Sequence, residues 1–86
     1  MVLVLREEIA EELIKRLRRE LEFYEAVIAR FERKYRCSLE ELEARIEREG
    51  VPMDDHEIWE DSIEWRNAVE EAERIRRILR ELGVEF

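Results

Sequence analysis

The chain is poor in the residues that break, cross-link or soften a fold. Its 86 residues include two Gly, one Pro, one Cys, one His and one Asn, with no Thr or Gln. So few Gly and Pro leave too little turn chemistry for a many-stranded β fold. Cys37 stands alone, so no disulfide can form within the chain. It reads as a small, partly buried filler near a helix end, in a reducing compartment. No stretch approaches the ~20 apolar residues of a membrane-spanning helix. Residues 1–5 are too short for a signal peptide and run into acids instead of a cleavage site. The expected location is the cytoplasm.

What is present is charge and helical pattern. Charged residues make up 47% of the chain and hydrophobic ones 45%, with a net charge of -8. That is far too apolar for intrinsic disorder. The abundance of Glu and Arg beside so few amides resembles hyperthermophile composition. A chain this short forms one domain and buries about 60–65% of its unfolded surface, which leaves a thin core.

Hydrophobic residues recur at helical spacing. Between about residues 6 and 36, Ile14, Leu21, Ile28 and Tyr35 repeat every seven positions, and Ala10, Leu17, Tyr24 and Phe31 fill the complementary line. Leu13, Phe23 and Val27 widen the stripe. Glu11–Lys15, Glu12–Arg16 and Glu32–Arg36 stand four apart, acid first, the orientation that supports a helix by about 0.2–0.5 kcal/mol per pair.

Ser38 and Glu41 then make a capping box for a second helix over residues 39–49, with Leu39, Leu42 and Ile46 on one face. Gly50 suits its left-handed end and Pro52 prevents continuation. A third helix spans about residues 56–82, capped by Asp54 or Asp55 and stopped by Gly83. Ile58, Trp65, Ala72 and Leu79 form one of its lines; Ala68, Ile75 and Leu82 form the other. Trp59, Ile63, Val69 and Ile78 lie beside them. Residues 1–5 and 84–86 read as frayed ends or short extended arms.

The expected architecture is therefore all-α, a single domain over residues 1–86. An antiparallel hairpin of two long helices carries a short helix between them. Its stripes are wider than a two-helix seam needs, which points to a homodimer or a tightly bound partner.

Charge is divided along the chain. Residues 1–36 hold nine Lys/Arg and eight Asp/Glu, a net of +1, whereas residues 37–86 hold seven and sixteen, a net of -9. The basic runs at residues 15–19 and 74–77 have acids as helical neighbours. They lack the clustered positive charge of a nucleic-acid footprint. The acidic excess is densest at residues 54–65, with six acids, two Trp and no Lys or Arg. Acids around an aromatic suit a basic protein, since charge steers approach and aromatic anchors hold it. The partner-binding residues expected here are Asp54, Asp55, Glu57, Trp59, Glu60 and Asp61. Trp65 belongs to the core, and Trp59 fits either core or contact.

No catalytic constellation emerges. His56 lies among carboxylates, with Glu60 on its helical face and Glu57 matching Asp61, but no E-x-x-H of a carboxylate-bridged di-metal bundle is present. The E-x-x-E and E-x-x-D pair of helical nucleotide pyrophosphatases is missing as well. Ser62 has only His56, six residues away, as a base. The expectation is no enzyme, no cofactor and no metal, with a divalent-cation site at His56 as the weakest rival.

The stretch Phe31-Glu32-Arg33-Lys34-Tyr35-Arg36-Cys37-Ser38-Leu39-Glu40-Glu41, followed by Glu57-Ile58-Trp59-Glu60, resembles a group of small helical proteins of archaea and bacteria. Some of these are regarded as antitoxin-like partners of small toxins. Members often carry Gly where Arg36 or Cys37 stands here. The resemblance covers about residues 15–82 and implies no catalytic residue. It implies a protein that neutralises a basic partner by binding it. The alternative from another class is a self-associating structural helical bundle.

Overall fold

A computed structural model of the chain describes residues 2–50 and 56–85, and side-chain surroundings from residue 7 onward. Three helices account for nearly all of it: α1 over Val2–Tyr35, α2 over Leu39–Glu49 and α3 over Glu57–Glu81. α1 and α3 run antiparallel, with α2 packed on α3 at the connecting end. The molecule is a rod of 61 × 19 × 18 Å.

The first helix begins earlier than periodicity suggested. Residues 2–5 are helical and form no extended arm. Leu is a good helix former and Val a tolerable one, and no Gly or Pro stands there to interrupt them. At about 1.5 Å per residue, the 34 residues of α1 outreach the 25 of α3, so the N-terminal turns of α1 project past the end of the hairpin.

The core has two parts. Toward the open end, Leu17 and Leu21 of α1 meet Ala72, Ile75 and Leu79 of α3, flanked by Ile14, Tyr24, Ile28, Ile78 and Val84. Toward the connecting end, Phe31, Leu39, Leu42 and Trp65 form the second cluster, with Cys37 half-buried against it. Both heptad lines expected for α1 and most of those for α3 face inward. Leu82 departs from them and is 43% exposed. It stands at the C-cap, beyond the end of α3 proper.

The helix ends follow their local chemistry. Ser38 Oγ accepts from the Glu41 amide, as the capping box requires. Gly50 closes α2 with φ 75° and ψ 178°, a conformation open essentially to Gly alone and distinct from the left-handed helical one expected there. At the end of α3 the Gly83 amide donates to the Arg80 carbonyl and the Val84 amide to the Leu79 carbonyl. That is a Schellman turn. It folds Val84 back onto the core, so this residue is no frayed end. His56 stands at the N-cap of α3 without a side-chain cap bond. Asp54 and Asp55, the expected caps, lie outside the described residues.

The expected i,i+4 pairs on α1 give way to others. Lys15 pairs with Glu12 and Arg16 with Glu20, all with side chains at least two-fifths exposed. Pairs so exposed contribute little, so the exchange costs the helix almost nothing.

Arg36 carries the one positive φ among described non-glycine residues, 53°. It ends α1 in the left-handed region, which costs an L-residue about 1–2 kcal/mol. Arg36→Gly should therefore raise unfolding free energy by about 0.5 kcal/mol after the extra entropy of Gly is subtracted. Ser38→Ala, two residues on, should lower it by about 1 kcal/mol through the lost cap. Urea unfolding followed by circular dichroism reads both.

Candidate functional site: the acidic-aromatic start of α3

The site is built by the last two turns of α1, the start of α3 and α2 beside them. Trp65 lies one heptad after Ile58 and faces α1, where Phe31 and Tyr35 are one turn apart. Its ring stacks on both, at centroid distances of 5.8 Å from Phe31 and 6.2 Å from Tyr35. This fixes the register of α3 against α1 and decides which charges meet.

Lys34 projects from the flank of α1 toward the first turns of α3. Its Nζ lies 2.6 Å from Asp61 Oδ2 and 2.7 Å from Glu57 Oε1. The Tyr35 hydroxyl donates to the same oxygen of Asp61. One turn back, Arg30 reaches Glu64 at 2.6 Å and covers the Phe31 ring. On the other flank Arg66 of α3 holds Glu43 of α2 through two nitrogens.

These contacts set the titration of the site. For Asp61, burial opposes the charge, but hydrogen bonds from Lys34 and Tyr35 with the charges of Lys34 and Arg30 outweigh it, and the carboxyl is held below its usual value. Tyr35 is pushed up to about 12, first by burial and then by donation to Asp61. Lys34 is raised by its bonds to Asp61 and Glu57. Glu43 is lowered by its bond to Arg66.

The six residues expected to meet a partner therefore have different situations. Asp61 is half-buried and bound to α1. Glu57 is exposed and paired with Lys34. Glu60 is exposed and makes no ion pair with a described residue. Trp59 is 48% exposed on the flank opposite the Trp65 stripe, and Ile63, one turn on, is 50% exposed beside it. Asp54 and Asp55 lie outside the described residues. Arg30, Lys34 and Tyr35, which engage the acids, were not anticipated. The signal was available: two cations four apart on α1 oppose acids at the same repeat on α3 once the helices are antiparallel.

Metal-ligating geometry does not gather among the described residues. No three of their His, Cys, Asp and Glu side chains come together as metal ligands would. Ser62 is buried, and its hydroxyl donates to the Trp59 carbonyl at 2.6 Å. Among the described residues, no helix is long and apolar enough to cross a membrane.

Comparison with protein families gives a match over residues 1–85 to the uncharacterized protein MJ0235 family. The chain belongs to that family. No curated protein and no solved structure matches it. In this chain the inner flank of α3 is occupied by α1, which leaves its outer flank exposed.

Because Asp61 has its pKa depressed by folding, its contribution to stability is present above the unfolded value near 4 and is lost as pH falls through the folded value. Asp61→Asn should cost about 1 kcal/mol at pH 7, and the gap to the parent should close as pH is lowered from about 4 toward 2. Urea titrations of both proteins across that range measure it.

Proposed function

We propose that this chain is a non-enzymatic protein-binding module that offers the outer flank of α3 to a basic partner. The observation that carries the reading is the adjacency of Trp59 and Ile63, each about half exposed, beside Glu60. A large aromatic and a branched aliphatic one turn apart are costly to leave in water and form the usual nucleus of a helix-presented contact. The surrounding half of the chain is strongly acidic, with a net of -9 over residues 37–86, and favours an approaching cation-rich surface.

The contact set is narrower than the acidic run suggests. Lys34 engages Glu57 and Asp61, and Arg30 engages Glu64, so these acids act first between helices. Trp59 and Ile63 anchor the partner and Glu60 steers it. Within this reading the antitoxin-like role is the specific form: the module occupies a basic cleft of a small toxin and blocks it.

Co-expression with the product of the neighbouring gene, followed by size exclusion with light scattering, tests the reading. A mixed complex that loosens at high salt is expected. Trp59→Ala should weaken it by about tenfold or more, and Glu60→Lys should slow association while helicity is unchanged. A complex indifferent to both substitutions, or the absence of any complex, overturns the proposal.

A further inference from the structure

α1 presents two apolar seams; its own chain covers one of them and, of the other, only the Val27 end, which is half-buried against the Phe31–Trp65 cluster. The inner seam packs on α3. About a quarter-turn around the helix lies an outer seam of Ile9, Leu13, Arg16, Glu20, Phe23 and Val27, spaced 4-3-4-3-4. That alternation is the heptad of a helix meeting one more helix. Ile9 is 67% exposed, Leu13 42% and Phe23 62%. Between the two apolar pairs lie Arg16 and Glu20, joined at 3.6 Å.

The order along this seam is apolar, apolar, Arg, Glu, apolar, apolar. Reversed, it keeps its apolar ends and exchanges its two charges, so it is complementary to itself in the antiparallel sense. We propose that a second copy of this chain docks on it about a two-fold axis. Ile9 of each copy then meets Val27 of the other, Leu13 meets Phe23, and Arg16 meets Glu20. Each arginine lies between its own glutamate and that of its neighbour.

Competing arrangements fail on the same residues. A parallel pairing sets Arg16 against Arg16 and Glu20 against Glu20. Sliding the antiparallel pair by one heptad in one direction puts Leu13 against Arg16 and Ile9 against Glu20. In the other direction Phe23 meets Glu20, and Leu13 meets Arg30, which already holds Glu64.

The flank of α3 on this side agrees. Glu64 marks it by pairing with Arg30, and Ile78 and Leu82 continue it. Ile78 is half-buried against the cluster of Leu17 and Leu21, level with the centre of the outer seam. The axis that relates the two α1 helices therefore brings Ile78 toward its own copy, and the exposed Leu82 toward the neighbouring α3. The product is a four-helix bundle of two hairpins. It is centred on α1 and uses another flank of α3 than the Trp59–Ile63 contact, so it stands or falls independently of it.

Charge exchange and directed cross-linking on the full chain test the register. Sedimentation equilibrium should show a dimer. Arg16→Glu should weaken it by about tenfold or more, and Arg16→Glu with Glu20→Arg should restore it, because the like charges created by one change are removed by the other. In a Cys37→Ala background, Leu13→Cys with Phe23→Cys should give a covalent dimer under mild oxidation, while Leu13→Cys alone should not. Circular dichroism confirms that each variant remains folded. A monomer at every concentration overturns the proposal. So does a double charge exchange that fails to restore association, or cross-linking by Leu13→Cys alone.

Discussion

The mutual packing of Trp65, Phe31 and Tyr35 is the contact on which the arrangement of the other parts depends. A hairpin of two heptad helices can slide by a heptad at modest cost if its seam holds only Leu, Ile and Ala. Three aromatic rings at one level remove that freedom, because a slide would set Trp65 against smaller side chains and open a void. Burial of such rings carries several kcal/mol and specifies a geometry as well. The stack stands near the connecting end, where α2 closes over it through Leu39 and Leu42. The capping box at Ser38 starts α2 where these two residues can reach the rings.

The charge pattern follows from that register. With Trp65 fixed opposite Phe31, the cations Arg30 and Lys34 come level with Glu64, Asp61 and Glu57. Glu60, one turn from both Glu57 and Glu64, lies slightly farther round α3 from α1 and makes no ion pair with either cation. The acidic run is thus divided by helical geometry into a part that joins helices and a part that faces water. Asp61 is the clearest case of the first: its burial would raise its pKa, and the donors Lys34 and Tyr35 together with the charges of Lys34 and Arg30 reverse that sign. A carboxylate held this way is a tie between helices before it is bait for a partner.

Much of the fold could be read from the sequence because each element is locally consistent. The heptad lines, the box at Ser38–Glu41 and the stops at Gly50 and Gly83 all point to one answer. Less could be read where the outcome depends on a neighbour. The start of α1 lay beyond the charged heptads and was decided by unbroken helix propensity. Val84 was decided by a turn that returns it to the core. The candidate site was legible as composition, six acids and two tryptophans, but not as roles. Which acids pair is a property of the α1–α3 register, and periodicity on one helix does not contain it. Trp59 and Trp65 differ by six residues, and that offset alone sends one to the surface and the other to the core.

The wide stripe on α1 raises the same question one level higher. A helix in a two-helix hairpin has one neighbour along most of its length, and a stripe broader than that neighbour leaves apolar side chains in water. Evenly scattered, such residues would mean little, since much of any protein surface is apolar. On α1 they hold a strict 4-3 alternation and bracket a single Arg–Glu pair. Chance exposure does not require the charged pair to sit at the centre of the apolar positions, nor its order to reverse into its own complement. A seam selected to meet its own copy requires both. The asymmetry of the molecule is then also accounted for. In the proposed dimer the long α1 would meet two neighbours, and the shorter α3 would need only to cover one of its faces.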